Sequence, residues 1–65
     1  MKYQIINIQF LYYCRVNDKV RLTPQGKVYR VKESNNYAPT IEDIKTGKVI
    51  DKSPWINVYL LKESK

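Results

Sequence analysis

The sequence predicts an all-β fold, a small barrel of five or six short antiparallel strands, and three observations carry that expectation. Among its 65 residues are seven Ile, six Val and six Tyr, against one Ala, four Leu and one Met. That is the inventory of a pleated sheet rather than of a helix bundle. Apolar residues recur at every second position in short runs separated by turn residues, the signature of half-buried strands. A chain this short buries only about 60% of the surface its unfolded form exposes, too little for two stacked sheets. Strands curled into one twisted barrel leave few free edges. One domain over residues 1–65 is expected, its ordered core running from about residue 2 to about residue 62.

The first element spans Tyr3 to Val16, with Ile6, Ile8, Phe10, Tyr12, Cys14 and Val16 on alternate positions. A period of two predicts one long, bent strand with that parity inward. Asn17-Asp18 turns the chain, and Lys19 to Thr23 alternates with Val20 and Leu22 inward. Pro24-Gln25-Gly26 is a turn in which Pro fixes one φ angle and Gly is free to take a positive one. Lys27 to Lys32 follows as a strand with Tyr29 and Val31 inward, and Ser34 to Pro39 is the longest polar loop. Thr40–Ile44 and Lys48–Ile50 flank Lys45-Thr46-Gly47, with Gly where a bulged hairpin needs a left-handed residue. Pro54 suits the opening of a single 3-10 turn at Trp55 to Asn57, and Trp55 to Lys62 closes the fold. The expected core is Ile6, Ile8, Phe10, Val20, Leu22, Val31, Ile41, Val58 and Leu60.

The stretch Val16-Asn17-Asp18-Lys19-Val20-Arg21-Leu22, followed by Gly26-Lys27-Val28-Tyr29-Arg30-Val31, resembles the opening of SH3-like barrels, including KOW-type modules. Those families commonly show a Gly-Asp-x-Val turn and strand and then a Gly-led strand. Asn17 stands here for the usual Gly and also tolerates a left-handed backbone. The resemblance covers roughly residues 16 to 61 and implies an SH3-like barrel. It implies no activity.

Composition narrows the function. The apolar-looking stretch from Ile5 to Cys14 is about half of what a helix needs to cross a bilayer, so no membrane partner is expected. A small-residue cleavage site after an apolar core is missing, which argues against a secretory signal. Cys14 is the sole cysteine, so packing alone must hold the fold, and a reducing cytoplasm is the natural compartment. Ile, Lys, Asn and Tyr supply 27 of 65 residues. Their AT-rich codons point to an AT-rich bacterium, or a phage or mobile element within one.

Catalysis is not expected. The chain has no His, the commonest general base. Cys14 beside Arg15 reads better as a buried, inert thiol than as a nucleophile. Glu42 and Asp43 are adjacent in a strand and so point to opposite faces, with Asp43 suited to accept hydrogen bonds from the Thr46-Gly47 turn. With one thiol and no His, no metal site and no cofactor are expected.

The net charge of +6 is unevenly spread: residues 15 to 32 carry Arg15, Lys19, Arg21, Lys27, Arg30 and Lys32 against Asp18 alone. With Val20 and Leu22 inward, Lys19 and Arg21 share an outer face with Arg30 and Lys32, a phosphate-sized footprint. Solvent-facing cations also serve solubility and edge protection. Exposed rings beside cations stack on unpaired bases, and Tyr37 and Trp55 are the candidates. A lone Trp equally serves to plug a barrel end. The leading expectation is a non-enzymatic module that binds DNA or RNA through Lys19, Arg21, Arg30, Lys32, Tyr37 and Trp55. The alternative is a protein-interaction module, phage- or mobile-element-encoded, that holds a host protein through an aromatic groove or a strand edge.

Overall fold

The long N-terminal alternation is cut at Leu11. In the computed structural model, which describes residues 2–64, the chain runs as β1 (Lys2–Phe10), a 3-10 helix (Leu11–Tyr13), β2 (Lys19–Arg21), β3 (Val28–Glu33), β4 (Thr40–Asp43), β5 (Val49–Asp51) and β6 (Asn57–Ser64). Met1 and Lys65, within the expected domain range, lie outside the described residues. All six strands belong to one antiparallel sheet in the order β1-β6-β2-β3-β4-β5. The all-β expectation holds, and the architecture is compatible with a small barrel. The sheet keeps two edges, β1 and β5.

The 3-10 turn expected at Trp55 to Asn57 falls instead at Leu11–Tyr13, with a plain turn after Pro54, and it explains both a miss and a hit in the core. A 3-10 turn repeats every three residues, so Leu11 and Cys14 come to the same side, and both are fully buried. They close a core built from one residue each of β2, β3, β4 and β6: Val20, Val31, Ile41 and Val58. Leu22, Tyr29, Ile50, Ile56 and Leu60 pack partly buried around it. Leu22 and Leu60 are thus core neighbours rather than fully buried. The 3-10 helix also rests on the turn at Pro54–Trp55, where Tyr12 N–H donates to the Pro54 carbonyl at 2.9 Å and Leu11 N–H to that of Ile56 at 2.9 Å.

The inward parity expected for Ile6, Ile8 and Phe10 is overturned: they are 53%, 57% and 38% exposed. A register irregularity between Ile5 and Asn7 lets β1 gain a residue on β6. Beyond it Asn7 sits opposite Leu60 and Gln9 opposite Val58. Directly opposed residues share a face of the sheet, so Asn7 and Gln9 take the parity of Leu60 and Val58, with Gln9 reaching Cys14 and Asn7 still exposed. Ile8 and Phe10 turn outward with Tyr59 and Asn57.

The turns follow local chemistry. Asn17 holds φ +78° in the Arg15–Asp18 turn, closed by Asp18 N–H to the Arg15 carbonyl at 3.0 Å. Gly47 holds φ +77° in the β4–β5 hairpin, as a bulged connection requires. Gly26 does not take the positive φ expected of it in its turn. Space demands glycine there instead: a Cβ would stand 2.4 Å from Thr23 Oγ1.

Candidate nucleic-acid interface

Two register rows assemble the basic residues on the sheet face opposite to that of Val20 and Val31, a face that also carries the buried Leu61. In the first, Lys19 lies opposite Arg30 on one side and Leu61 on the other, and Arg30 lies opposite Glu42. In the second, Arg21 lies between Val28 and Tyr59, and Tyr59 faces Ile8. Lys19, Arg21 and Arg30 therefore share one face because they alternate with Val20, Tyr29 and Val31. Lys32 falls at the irregularity between Val31 and Glu33, with its Nζ 3.9 Å from Glu42 Oε1.

The footprint is not the open cluster of four cations that the sequence suggested. Arg30 donates to Glu42, which also faces Lys32, so one carboxylate serves two of the four. The hydrogen bond from Arg30 holds the Glu42 carboxyl below its ordinary range, and desolvation only partly opposes it. The Arg30 Nε is buried without an acceptor, and another guanidinium nitrogen donates to Glu42. Arg21 gives one N–H to the Gly26 carbonyl at 3.2 Å and Lys19 reaches the Asn17 carbonyl at 3.4 Å.

Positive charge concentrates instead around Arg21. An open cleft of about 510 Å³ brings Arg21, Lys27 and Lys45 together with Tyr3, Val28 and Ile44, against Asp43 as its one acid. Lys27 stands 3.7 Å from Asp43, and Lys45 forms no ion pair among the described residues. Asp43 itself is committed to the hairpin. Its Oδ1 accepts from Lys45 N–H at 2.9 Å, rather than from the Thr46-Gly47 pair alone. That backbone bond, with Lys27 nearby, keeps the Asp43 carboxyl below its ordinary value although burial opposes it. A second cleft beside Lys19 and Arg30 is also lined by Glu42, Asp43 and Glu63 and so is not basic. Lys27 was counted in the basic run but left out of the candidate set, and Lys45 escaped sequence reasoning because only the β4–β5 hairpin brings it to Arg21.

The aromatics divide. Trp55 is a surface ring, 51% exposed, stacked on Tyr12 with centroids 5.0 Å apart and planes 23° off parallel. Phe10 meets it edge-on at 5.8 Å, and Tyr13 meets Tyr12 edge-on at 5.4 Å. Phe10 lies opposite Asn57, two residues along β6 from Tyr59 and thus on the face that carries Arg21. At ~3.3 Å per residue the aromatic corner begins roughly 7 Å along the strand from the Arg21 row. Tyr37 is 89% exposed in the β3–β4 loop and belongs to no aromatic pair among the described residues.

Cys14 is buried and its thiol is raised, chiefly by desolvation, with the hydrogen bond from Gln9 opposing. A raised thiol is mostly protonated at neutral pH, and the thiolate is the nucleophile. Among the described residues no three His, Cys, Asp or Glu side chains gather as metal ligands, and no helix is long and apolar enough to cross a membrane. The chain matches no family model, no curated protein and no solved structure at a significant level.

Proposed function

We propose that this protein is a non-enzymatic binding module for single-stranded nucleic acid, built on an SH3-like barrel. The observation that supports it is the continuity of one sheet face from Arg21, through Tyr59 and Ile8, to Phe10 and its neighbour Trp55. Backbone phosphates lie against Arg21, Lys27 and Lys45, with Lys19 beside them. An unpaired base stacks on the open side of Trp55. Arg30 and Lys32 contribute less than their charge because Glu42 holds them, and Tyr37 is peripheral. Such a surface positions a backbone and carries few groups able to read base edges, so binding is indifferent to sequence.

Trp55 is the only tryptophan, so its emission reports on the site directly. Titration with an unstructured oligonucleotide is expected to perturb that emission with an affinity that falls as salt rises, the logarithmic slope being about −0.7 per phosphate contact. Arg21→Gln with Lys45→Gln reduces the slope by about 1.4 while the fold persists. Trp55→Ala removes roughly 1–3 kcal/mol of binding per stacked base. No association at low salt would sink the proposal.

One observation favours a protein-binding reading alongside it: the apolar side chains of β1 stand exposed on a strand whose second edge is unpaired.

A further inference from the structure

The two edges of the sheet are unlike. β5 has three residues, the last of them Asp51, and Lys52 and Pro54 follow closely, so it offers little to another strand. Short, charged or proline-flanked edges are how sheets avoid pairing with strangers. β1 has nine residues, no proline and one charge, Lys2, at its very start. It also exposes Ile5, Ile6, Ile8 and Phe10. A long apolar edge of this kind is a pairing surface left open.

We propose that β1 pairs with β1 of a second copy, antiparallel about a two-fold axis, to join two six-stranded sheets into one. The sequence of the strand selects the register. The face that carries Tyr3 and Ile5 opposite Glu63 and Leu61 also carries Ile8 and Phe10 opposite Tyr59 and Asn57. Setting Tyr3 against Phe10 of the second copy sets Ile5 against its Ile8 on that same face. On the other face Gln4 meets Gln9 of the second copy. Aromatic meets aromatic, β-branched residue meets β-branched residue, and amide meets amide, each a favourable cross-strand pair. The irregularity at Ile6 falls on the two-fold axis, where both copies carry it, so it breaks neither half of the register. A slip by one residue would oppose Ile8 to Gln4 and lose the match.

Charge and area agree with a second copy. The cationic rows of β2 and β3 lie two or more strands from the seam, about 10 Å away at ~4.8 Å per strand, beyond the ~8 Å Debye length of physiological salt. A stable interface buries roughly 800 Å² on each partner, about a sixth of the 4643 Å² surface. A seam about 30 Å long, with Ile5, Ile6, Ile8 and Phe10 exposed along it, has the length for such an interface.

The mass of the purified protein is measured by sedimentation across a concentration series at two salt concentrations. A dimer that persists or strengthens with salt is expected, because screening relieves repulsion between two chains of +6. Ile8→Lys, on an exposed side chain, keeps the fold by circular dichroism and weakens the dimer by about tenfold or more. Register is read by cross-linking: Ile5→Cys protein mixed with Ile8→Cys protein yields an oxidised heterodimer, while neither yields a dimer alone. A monomer at every concentration overturns the proposal, as does a dimer indifferent to Ile8→Lys. A monomer that instead captures an extended apolar peptide also overturns it, and assigns the edge to a foreign strand. Cross-linking of Ile5→Cys to itself overturns the register.

Discussion

Asp43 shows how much one buried carboxylate settles in a molecule this small. It terminates β4, accepts from Lys45 N–H, and holds Lys27 at the rim of the basic cleft. Its folded-state carboxyl is lowered, so the stability it contributes is present above the ordinary carboxylate value and is lost as pH falls through the folded one. Asp43→Ala is therefore expected to lower the melting temperature at neutral pH and to flatten the acid limb of a stability–pH curve from about pH 4 downward. Cys14 gives the second prediction. Native protein should react slowly with a thiol reagent and quickly in denaturant, because the thiol is enclosed and its thiolate disfavoured. The burial of Cys14 was legible from its place among apolar residues. That of Leu11 was not, because a 3-10 turn changes the spacing of inward positions from two to three and nothing in Leu-Tyr-Tyr announces it. The role of Glu42 was hidden for a different reason. It meets Arg30 across twelve residues of chain, and only the β3–β4 register reveals that one acid quenches two of the expected contacts.

Among the elements, the two glycine turns separate backbone strain from crowding. A Cβ at Gly47 would meet nothing closer than Glu42 Oε2 at 3.9 Å, yet the backbone there carries φ +77°. Gly47→Ala should cost about 1 kcal/mol or more through the backbone alone, with Asn better tolerated there. Gly26→Ala should also destabilise, and adding Thr23→Ala should restore much of the loss, since the offending atom is Thr23 Oγ1. Thermal unfolding of the four variants checks both statements. The β3–β4 pair carries the next prediction. Glu42→Gln removes the shared partner of Arg30 and Lys32 and raises the net charge from +6 to +7. Nucleic-acid affinity should rise and its salt dependence steepen, measured by the Trp55 titration. Strands β2 to β6 were largely legible, because hydrophobic alternation and turn chemistry agreed there. β1 was legible as a strand but not in its facing: one extra residue at Ile6 exchanges the two faces, and a bulge leaves no mark in a run of Ile, Asn and Gln.

At the scale of the whole molecule, the sheet order separates what sequence proximity would join. β1 and the strand that follows it are not neighbours; β6 lies between them. The basic cleft likewise draws Arg21 from β2 and Lys45 from the β4–β5 hairpin, so the site exists only once the sheet is complete. The pairing of Lys2 with Ser64 has a further consequence for how the chain comes to its native state. As it leaves the ribosome, β1 emerges roughly fifty residues ahead of β6, its partner within the chain. Until then its isoleucines are bare on both edges. A topology that joins first strand to last pays loop-closure entropy late and folds slowly, with aggregation as the competing fate. A circular permutant that links Ser64 to Lys2 through a short turn and opens the chain in the Ser34–Pro39 loop turns that distant pairing into a local hairpin. It should refold faster than the parent in stopped-flow and leave more of its product soluble.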